Sequence, residues 1–263
     1  MTSPLMYSIS IFIFGAIAGS FLNVCIYRVP RGESLVLPAS HCPQCGAAVR
    51  AYDNIPILSY LILGGNCRAC KARISPKYPA VEFISALLTL FLFLKFGFSL
   101  TFVFLFVLCA ALIVITFIDL EHRIIPDVIS IPGIALGFIF SFYIDDLSML
   151  NRTLGWSNSL IGIIAGGGSL LAVAFVYQLI TKKEGMGGGD IKLLAMMGAF
   201  LGWKSVPFIV FASSLLGSVI GITLMLVQKK DAKLAIPFGP FLALGAVIYI
   251  FFGKQLIQWY LHV

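Results

Sequence analysis

Charge is the scarcest thing in this sequence. Only 11% of its 263 residues are charged, against about 25% in a soluble domain. Acidic residues are the rarest part of that: eleven Asp and Glu in all, with three His. Polar surface on this scale does not cover a water-soluble globule of this size, and 60% apolar content excludes a disordered chain. Glycine has no G-X-Y period, and six cysteines are too few for a secreted disulfide knot. The excess of base, net +7, is not gathered on one soluble face, which argues against nucleic acid as partner. An all-α polytopic membrane protein remains.

Apolar runs near the 20 residues that a helix needs to cross a bilayer occur at 5–27, 78–94, 100–118, 128–144, 160–180, 207–228 and 236–252. The first has no Lys or Arg ahead of it, so it reads as a retained span, without the basic start of a cleavable signal peptide. A shorter run, 191–203, is ambiguous by length between a crossing and a re-entrant segment. Counting it gives eight spans with the N-terminus outside. The inside segments 28–77, 119–127, 182–192 and 229–233 then carry fourteen Lys/Arg, and the outside segments carry four. This is a clear positive-inside bias. It also supports a crossing at 191–203, without which Lys229, Lys230 and Lys233 fall outside. The expected organisation is a first span at 5–27, an inside loop domain at 28–77 and a membrane domain at 78–263.

The inside loop contains Cys42-Pro-Gln-Cys45 and Cys67-Arg-Ala-Cys70. Two CxxC pairs at this separation fit a four-thiolate zinc site, structural because no ligand position stays open. Two disulfides or free thiols are the alternatives, and a cytoplasmic loop disfavours the disulfides. A loop of this length makes little core alone, so a metal staple is physically reasonable. His41 could replace one thiolate. Cys25 and Cys109 lie in apolar runs and read as packing residues.

Of the eleven acids, Glu33, Asp53, Asp145, Asp146 and Asp231 read as solvated loop charges. Glu82, Asp119, Glu121, Asp127, Glu184 and Asp190 fall at span ends on the predicted inner face, where an ionisable group is a functional candidate. Asp127 follows Pro126 and suits the first turn of a helix. Asp119 ends an apolar helix, where the helix dipole disfavours an anion. Asp190 closes Glu184-Gly-Met-Gly-Gly-Gly-Asp190. There it reads either as an N-cap after a flexible loop or as a site residue, and the segment lacks the GK[ST] ending of a phosphate loop. If Asp119 and Asp190 approach, the pair shares a proton. One carboxylate activates water and the other serves as acid, which is the chemistry of aspartic peptide hydrolysis. Spacing alone does not bring them together. His122, three residues on, is a candidate for tuning Asp119.

These segments resemble the type IV prepilin peptidases, also called prepilin leader peptidases/N-methyltransferases. The resemblance runs nearly the whole length. It rests on Gly19-Ser-Phe-Leu-Asn-Val-Cys-Ile-Tyr-Arg28, both CxxC pairs, Ile74-Ser-Pro-Lys-Tyr-Pro-Ala-Val-Glu82, the 119–127 segment, the glycine loop and Pro237-Phe-Gly-Pro240. It implies a GxGD-type inner-membrane aspartic endopeptidase with Asp119 and Asp190 as the catalytic pair and Gly187, Gly189, Glu184 and Asp127 in support. Its substrates would be type IV prepilins and type II secretion pseudopilins, cut at the end of a short basic leader. It further implies N-methylation from S-adenosyl-L-methionine, associated in the family with the zinc-binding four-cysteine loop. Gly65 and Glu82 are candidates for supporting that second activity. Gly188 stands where the family often has Tyr, and the outside loop 145–158 is long for the family. A leader is basic, so Glu121, Asp127 and Glu184 would make the inner face suitably acidic.

Three other readings compete: an ion- or proton-coupled transporter, a zinc-knuckle membrane adaptor, and a preflagellin peptidase. The acids gather at one face with none at mid-bilayer, which disfavours transport. An adaptor leaves the aspartates unexplained, and the cysteine loop disfavours a preflagellin peptidase. Gly15/Gly19 and Gly133/Gly137 read as internal helix-packing pairs, and the aromatic run 91–106 as lipid-facing or packing surface.

Overall fold

A computed structural model describes residues 4–143, 155–182, 187–228 and 237–261. Among them the secondary structure is helical, with only two isolated β-bridges. The chain divides into two compact units, 1–114 and 115–263.

The first unit holds α1 (Pro4–Arg28), the loop with its short α2 (Leu58–Ile62), α3 (Lys77–Phe96) and most of α4 (Leu100–His122). Helices α1 and α3 pack antiparallel through small residues. A Cβ on Gly15 would stand 2.8 Å from the Ala86 Cα, and one on Gly19 would stand 2.7 Å from the Glu82 Cα. That closeness lets the Ser85 hydroxyl donate to the Gly15 carbonyl at 2.8 Å, while Asn23 Nδ2 donates to the Tyr78 carbonyl at 3.0 Å. Close backbone approach with polar cross-links is how helices associate where lipid supplies no hydrophobic drive. The Gly15/Gly19 pair is thus internal packing. The aromatic run serves both expected purposes: Phe93 meets the rings of Phe98 and Phe102, whereas Phe91 is exposed.

The second unit begins in the last turns of α4 and adds α5 (Asp127–Phe140), α6 (Gly155–Thr181), α7 (Gly188–Leu201), α8 (Ser205–Gln228) and α9 (Gly239–Leu261). Helix α7 packs on α5, α6, α8 and α9, and every residue from Leu193 to Leu201 is buried. Its fit depends on absent side chains. A Cβ on Gly162 of α6 would lie 2.1 Å from the Gly198 carbonyl oxygen, and one on Gly133 of α5 would meet the Met196 sulfur. Ser159 on α6 adds a hydrogen bond to the Ala199 carbonyl at 2.7 Å. Gly133/Gly137 are therefore packing residues facing α7.

Among the described residues, five helices are long and apolar enough to cross a membrane: 5–31, α3, α4, α6 and 205–227. Their outer faces are apolar, with Leu179, Ile180, Leu226 and Phe211 among the exposed side chains. Such surfaces belong in lipid, and the protein is an integral membrane protein. Helices α5 and α7 have 14 residues each, or about 21 Å at 1.5 Å per residue, short of the roughly 30 Å of hydrocarbon. The expected eight segments each coincide with a helix, and five of them have the length and hydropathy of a crossing on their own. The 128–144 segment is shorter than expected: the helix ends at Phe140, followed by a turn through Tyr143.

Candidate active site and metal centre

The two CxxC pairs fold into near-identical knuckles. In the first, the Cys42 amide donates to the Ala47 carbonyl at 2.9 Å and the Gly46 amide to the Cys42 carbonyl at 2.9 Å. The second repeats this with Cys67 on Ala72 at 2.8 Å and Lys71 on Cys67 at 3.0 Å. Each knuckle closes on one bridge, His41 with Ala48 and Asn66 with Arg73. The turn demands a left-handed residue at the same place in both, filled by Gly46 (φ 70°) in one and by Lys71 (φ 58°) in the other. The sulfur atoms of Cys42, Cys45, Cys67 and Cys70 all lie within 4.8 Å of one another, with Cys42 and Cys70 at 3.9 Å. A tetrahedral ion at 2.3 Å from each sulfur would set them about 3.8 Å apart, so four thiolates fit a metal here. The amides of Cys45 and Gln44 point at Cys42 and hold its thiol down to about 6, ready to ligate as thiolate. The His41 ring bonds the Ala39 carbonyl at 3.1 Å and is not one of the four clustered ligands.

Two contacts tie this loop down. The Arg68 guanidinium, inside the second knuckle, grips both carboxylate oxygens of Asp53 at 2.6–3.1 Å and holds that carboxyl below its usual range. Asp53, read from sequence as a solvated charge, is thus a clamp. Glu82 is buried in α3 and accepts the Ile57 amide at 2.7 Å. Gly65, with φ 69° against the Tyr60 ring, lines a cavity of about 560 Å³ together with Asn66, Arg73 and Ser75. Glu82 is not among the residues lining that cavity.

The described carboxylates of the second unit lie at helix ends. Asp119 sits one turn from the end of α4, which stops at His122 as Arg123 turns left-handed (φ 55°). The side chain is 5% exposed. The anion is placed against the dipole of its own helix, and another helix compensates: the Gly239 amide, first of α9, donates to Asp119 Oδ2 at 3.0 Å. A helix N-terminus carries unpaired donors and partial positive charge, so α9 supplies what α4 withholds. Asp190 lies in the first turn of α7, its amide on the Gly187 carbonyl at 3.3 Å. Asp119 and Asp190 are close enough for their charges to act on each other. Tertiary structure has therefore brought together two acids that stand 71 positions apart in the chain.

Ile125 is the spacer that builds this arrangement. Its Cβ would lie 2.8 Å from a Cβ on Gly189, and its Cδ1 would lie 3.3 Å from one on Gly239. The one side chain thus packs against the backbone preceding Asp190 and against the amide that holds Asp119. None of Gly187, Gly188 and Gly189 has positive φ, but a Cβ on Gly187 or Gly188 would meet nothing within 4 Å, unlike one on Gly189. Asp127 opens α5 and pairs with Lys192 of α7, Nζ at 2.7 and 2.8 Å from its two oxygens. This pair joins the starts of the two short helices and already neutralises Asp127. Glu121 and His122 are exposed, and Glu184, Gly185 and Met186 lie outside the described residues, as does most of the 145–158 loop. Sequence reasoning assigned no role to Ile125 or Gly239. Both carry no titratable group, and their only signal was membership of motifs quoted for the resemblance.

Comparison with known proteins decides the family. Residues 13–96 match the Bacterial Peptidase A24 N-terminal domain, and residues 106–222 match the Type IV leader peptidase family. The chain is 36% identical to a prepilin leader peptidase/N-methyltransferase of Pseudomonas aeruginosa, covering 98% of this chain and 94% of that one. The chain belongs to the type IV leader peptidase family. Similarly named proteins of Aeromonas salmonicida (35%, covering 98% and 95%) and Legionella pneumophila (34%, covering 95% and 92%) are aligned over nearly their full lengths. No solved structure matches. The leader peptidase match includes Asp119, Asp127 and Asp190, and the N-terminal match contains all four clustered cysteines. Nothing in the fold or the comparisons favours transport.

Proposed function

We propose that this leader peptidase cleaves the basic leader from type IV prepilins and type II secretion pseudopilins, with Asp119 and Asp190 as its catalytic pair. The observation that carries the reading is their convergence: two acids at the ends of separate helices, one buried and held by a helix-terminal amide, within electrostatic reach of each other. Two like charges within reach of each other disfavour ionisation of both, so one carboxyl is expected to keep its proton. The ionised carboxylate takes a proton from water as it attacks the scissile carbonyl. The protonated one donates to the developing oxyanion, and a proton returns to the leaving amine. Gly239 N–H fixes one Asp119 oxygen, leaving the other to water or substrate. Ile125 keeps the two acids in register, and the Asp127–Lys192 pair holds the start of α7.

The organisation we propose is a first span at 5–27, a zinc-binding loop domain at 28–77 and a peptidase domain at 78–263. The fourteen-to-four division of basic residues orients eight spans with the N-terminus outside and both aspartates at the cytoplasmic face of a bacterial inner membrane. The four-cysteine metal is then zinc, which holds the loop without an open position for chemistry. Methyl transfer to the new N-terminus is the second activity. The cavity beside Gly65 has the volume of a small-cofactor site, with the Tyr60 ring for a sulfonium and Arg73 for a carboxylate. S-adenosylmethionine bound there would supply the methyl group. Glu82, bonded to Ile57, supports this site through the loop backbone.

Mass spectrometry of a prepilin incubated with the purified protein tests both activities. Loss of the leader is expected without added cofactor, and a further 14 Da, about one CH₂, with S-adenosylmethionine. Cleavage that survives both Asp119→Ala and Asp190→Ala would remove the proposed pair. An acidic inner face would attract a basic leader, so Glu184→Lys should raise KM, and unchanged kinetics would count against an electrostatic role.

A further inference from the structure

The loop between α1 and α3 has a surface that neither peptide cleavage nor metal binding uses. Its short helix α2 is turned apolar side out: Leu58, Leu61 and Ile62 are 55%, 66% and 76% exposed. Ser59, the polar residue among them, is buried. Its hydroxyl accepts the Ile55 amide at 3.0 Å and donates to the Tyr52 carbonyl at 3.1 Å, which locks the roll of the helix. A loop in water would take the opposite roll, because exposed apolar clusters mark contact with something apolar.

The occupant follows from where α2 is held. Its preceding residue, Ile57, has φ 63°, a strained conformation for a β-branched side chain, and its amide is bonded to Glu82 at 2.7 Å. Glu82 is five residues into α3, a helix with the composition of a membrane span from Lys77 onward. Five residues correspond to about 7.5 Å along the axis. The interfacial zone beside each face of the hydrocarbon is about 5–8 Å deep, so the chain at Ile57 has returned to the level of the acyl boundary. The loop is also basic, with seven Lys/Arg against Glu33 and Asp53 in 28–77, which suits a segment lying at an anionic bilayer surface.

We propose that residues 55–62 form an interfacial anchor, with Leu58, Leu61 and Ile62 set into the lipid boundary and Glu82 as the strut that fixes the depth. The metal-bound knuckles are thereby held against the bilayer surface on a third support besides α1 and α3. The inference uses the membrane setting of the chain and is independent of which residues are catalytic.

Photo-crosslinking of the full-length protein in nanodiscs of phosphatidylethanolamine and phosphatidylglycerol tests it. The label p-benzoylphenylalanine is placed at Leu61, at Phe91 on the exposed side of α3, and at Tyr52, comparably exposed, whose backbone meets Ser59 on the buried side of α2. An interfacial anchor gives a lipid adduct at position 61 within about threefold of the yield at 91 and about tenfold above that at 52. A yield at 61 no higher than at 52 overturns the proposal. An adduct that moves to added prepilin or to a second copy of the chain also overturns it, by assigning the surface to a protein. Ile62 carries the same label as a second site if the Leu61 variant loses its metal, and absence of lipid adduct at both positions is equally decisive.

Discussion

Replacing Gly239 by alanine separates the geometry of the carboxylate pair from the stability of the fold. The added Cβ would stand 2.6 Å from Asp119 Oδ2, 3.3 Å from its Cγ and 3.3 Å from Ile125 Cδ1. Carbon and oxygen approach no closer than about 3.3 Å in ordinary contacts, so the carboxylate oxygen must retreat by about 0.7 Å. Asp119 can yield by rotating its short side chain. The helix therefore survives, and alanine at the first position of α9 favours it slightly. The retreat stretches the 3.0 Å bond from the Gly239 amide and shifts the carboxylate from the position that bond sets. Misplacement of a catalytic group by about 1 Å costs about a hundredfold, so kcat for prepilin cleavage should fall ten- to a hundredfold, or about 1.4–2.7 kcal/mol in barrier. The assay is leader release in detergent by quantitative mass spectrometry, beside thermal unfolding of the same preparations. Gly188→Ala is the matched control, since its Cβ meets nothing within 4 Å, and it should keep nearly full activity. Gly189→Ala should resemble Gly239→Ala, because its Cβ would lie 2.8 Å from Ile125. Full kcat in Gly239→Ala with an unchanged melting temperature would refute the argument that this amide positions Asp119.

The remaining predictions concern the pair, the knuckles and the packing of α7. Asp119→Asn and Asp190→Asn should each lower cleavage at least about a thousandfold with folding retained, as removal of one member of a coupled catalytic unit does; single-turnover cleavage measures this. Cys45→Ser should reduce the bound metal per chain in elemental analysis, and methylation should fall further than cleavage. Lys71→Gly relieves the left-handed strain that Gly46 avoids in the other knuckle, and should stabilise the loop by up to about 1 kcal/mol, read as slower metal release to a chelator. Gly162→Leu should abolish folded protein, because even one carbon there would stand 2.1 Å from the Gly198 carbonyl. Wild-type yield and melting temperature for that variant would contradict the α6–α7 packing.

Much of this protein was legible in one dimension. Scarcity of charge and the length of apolar runs dictated a helical membrane protein, because backbone polar groups in lipid must be satisfied within a helix. The CxxC spacing announced the metal centre, since two ligands two residues apart can reach one ion only from a tight turn. The acids could be examined one by one because there were so few. What could not be read was which groups meet. Asp119 looked misplaced on its own helix, and only packing shows that α9 presents an amide to it. Asp127 looked available to a basic leader, and only the fold shows that Lys192 occupies it. Gly187, Gly188 and Gly189 are indistinguishable as letters, yet Ile125 approaches only Gly189. The run at 191–203, ambiguous by length, became the helix around which the second unit packs. Local sequence determines helices, turns and ligand pairs through forces that act over a few residues. The approach of Asp119 to Asp190, the strut from Glu82 to Ile57 and the outward roll of α2 depend on contacts between distant segments, and those exist only once the helices have packed.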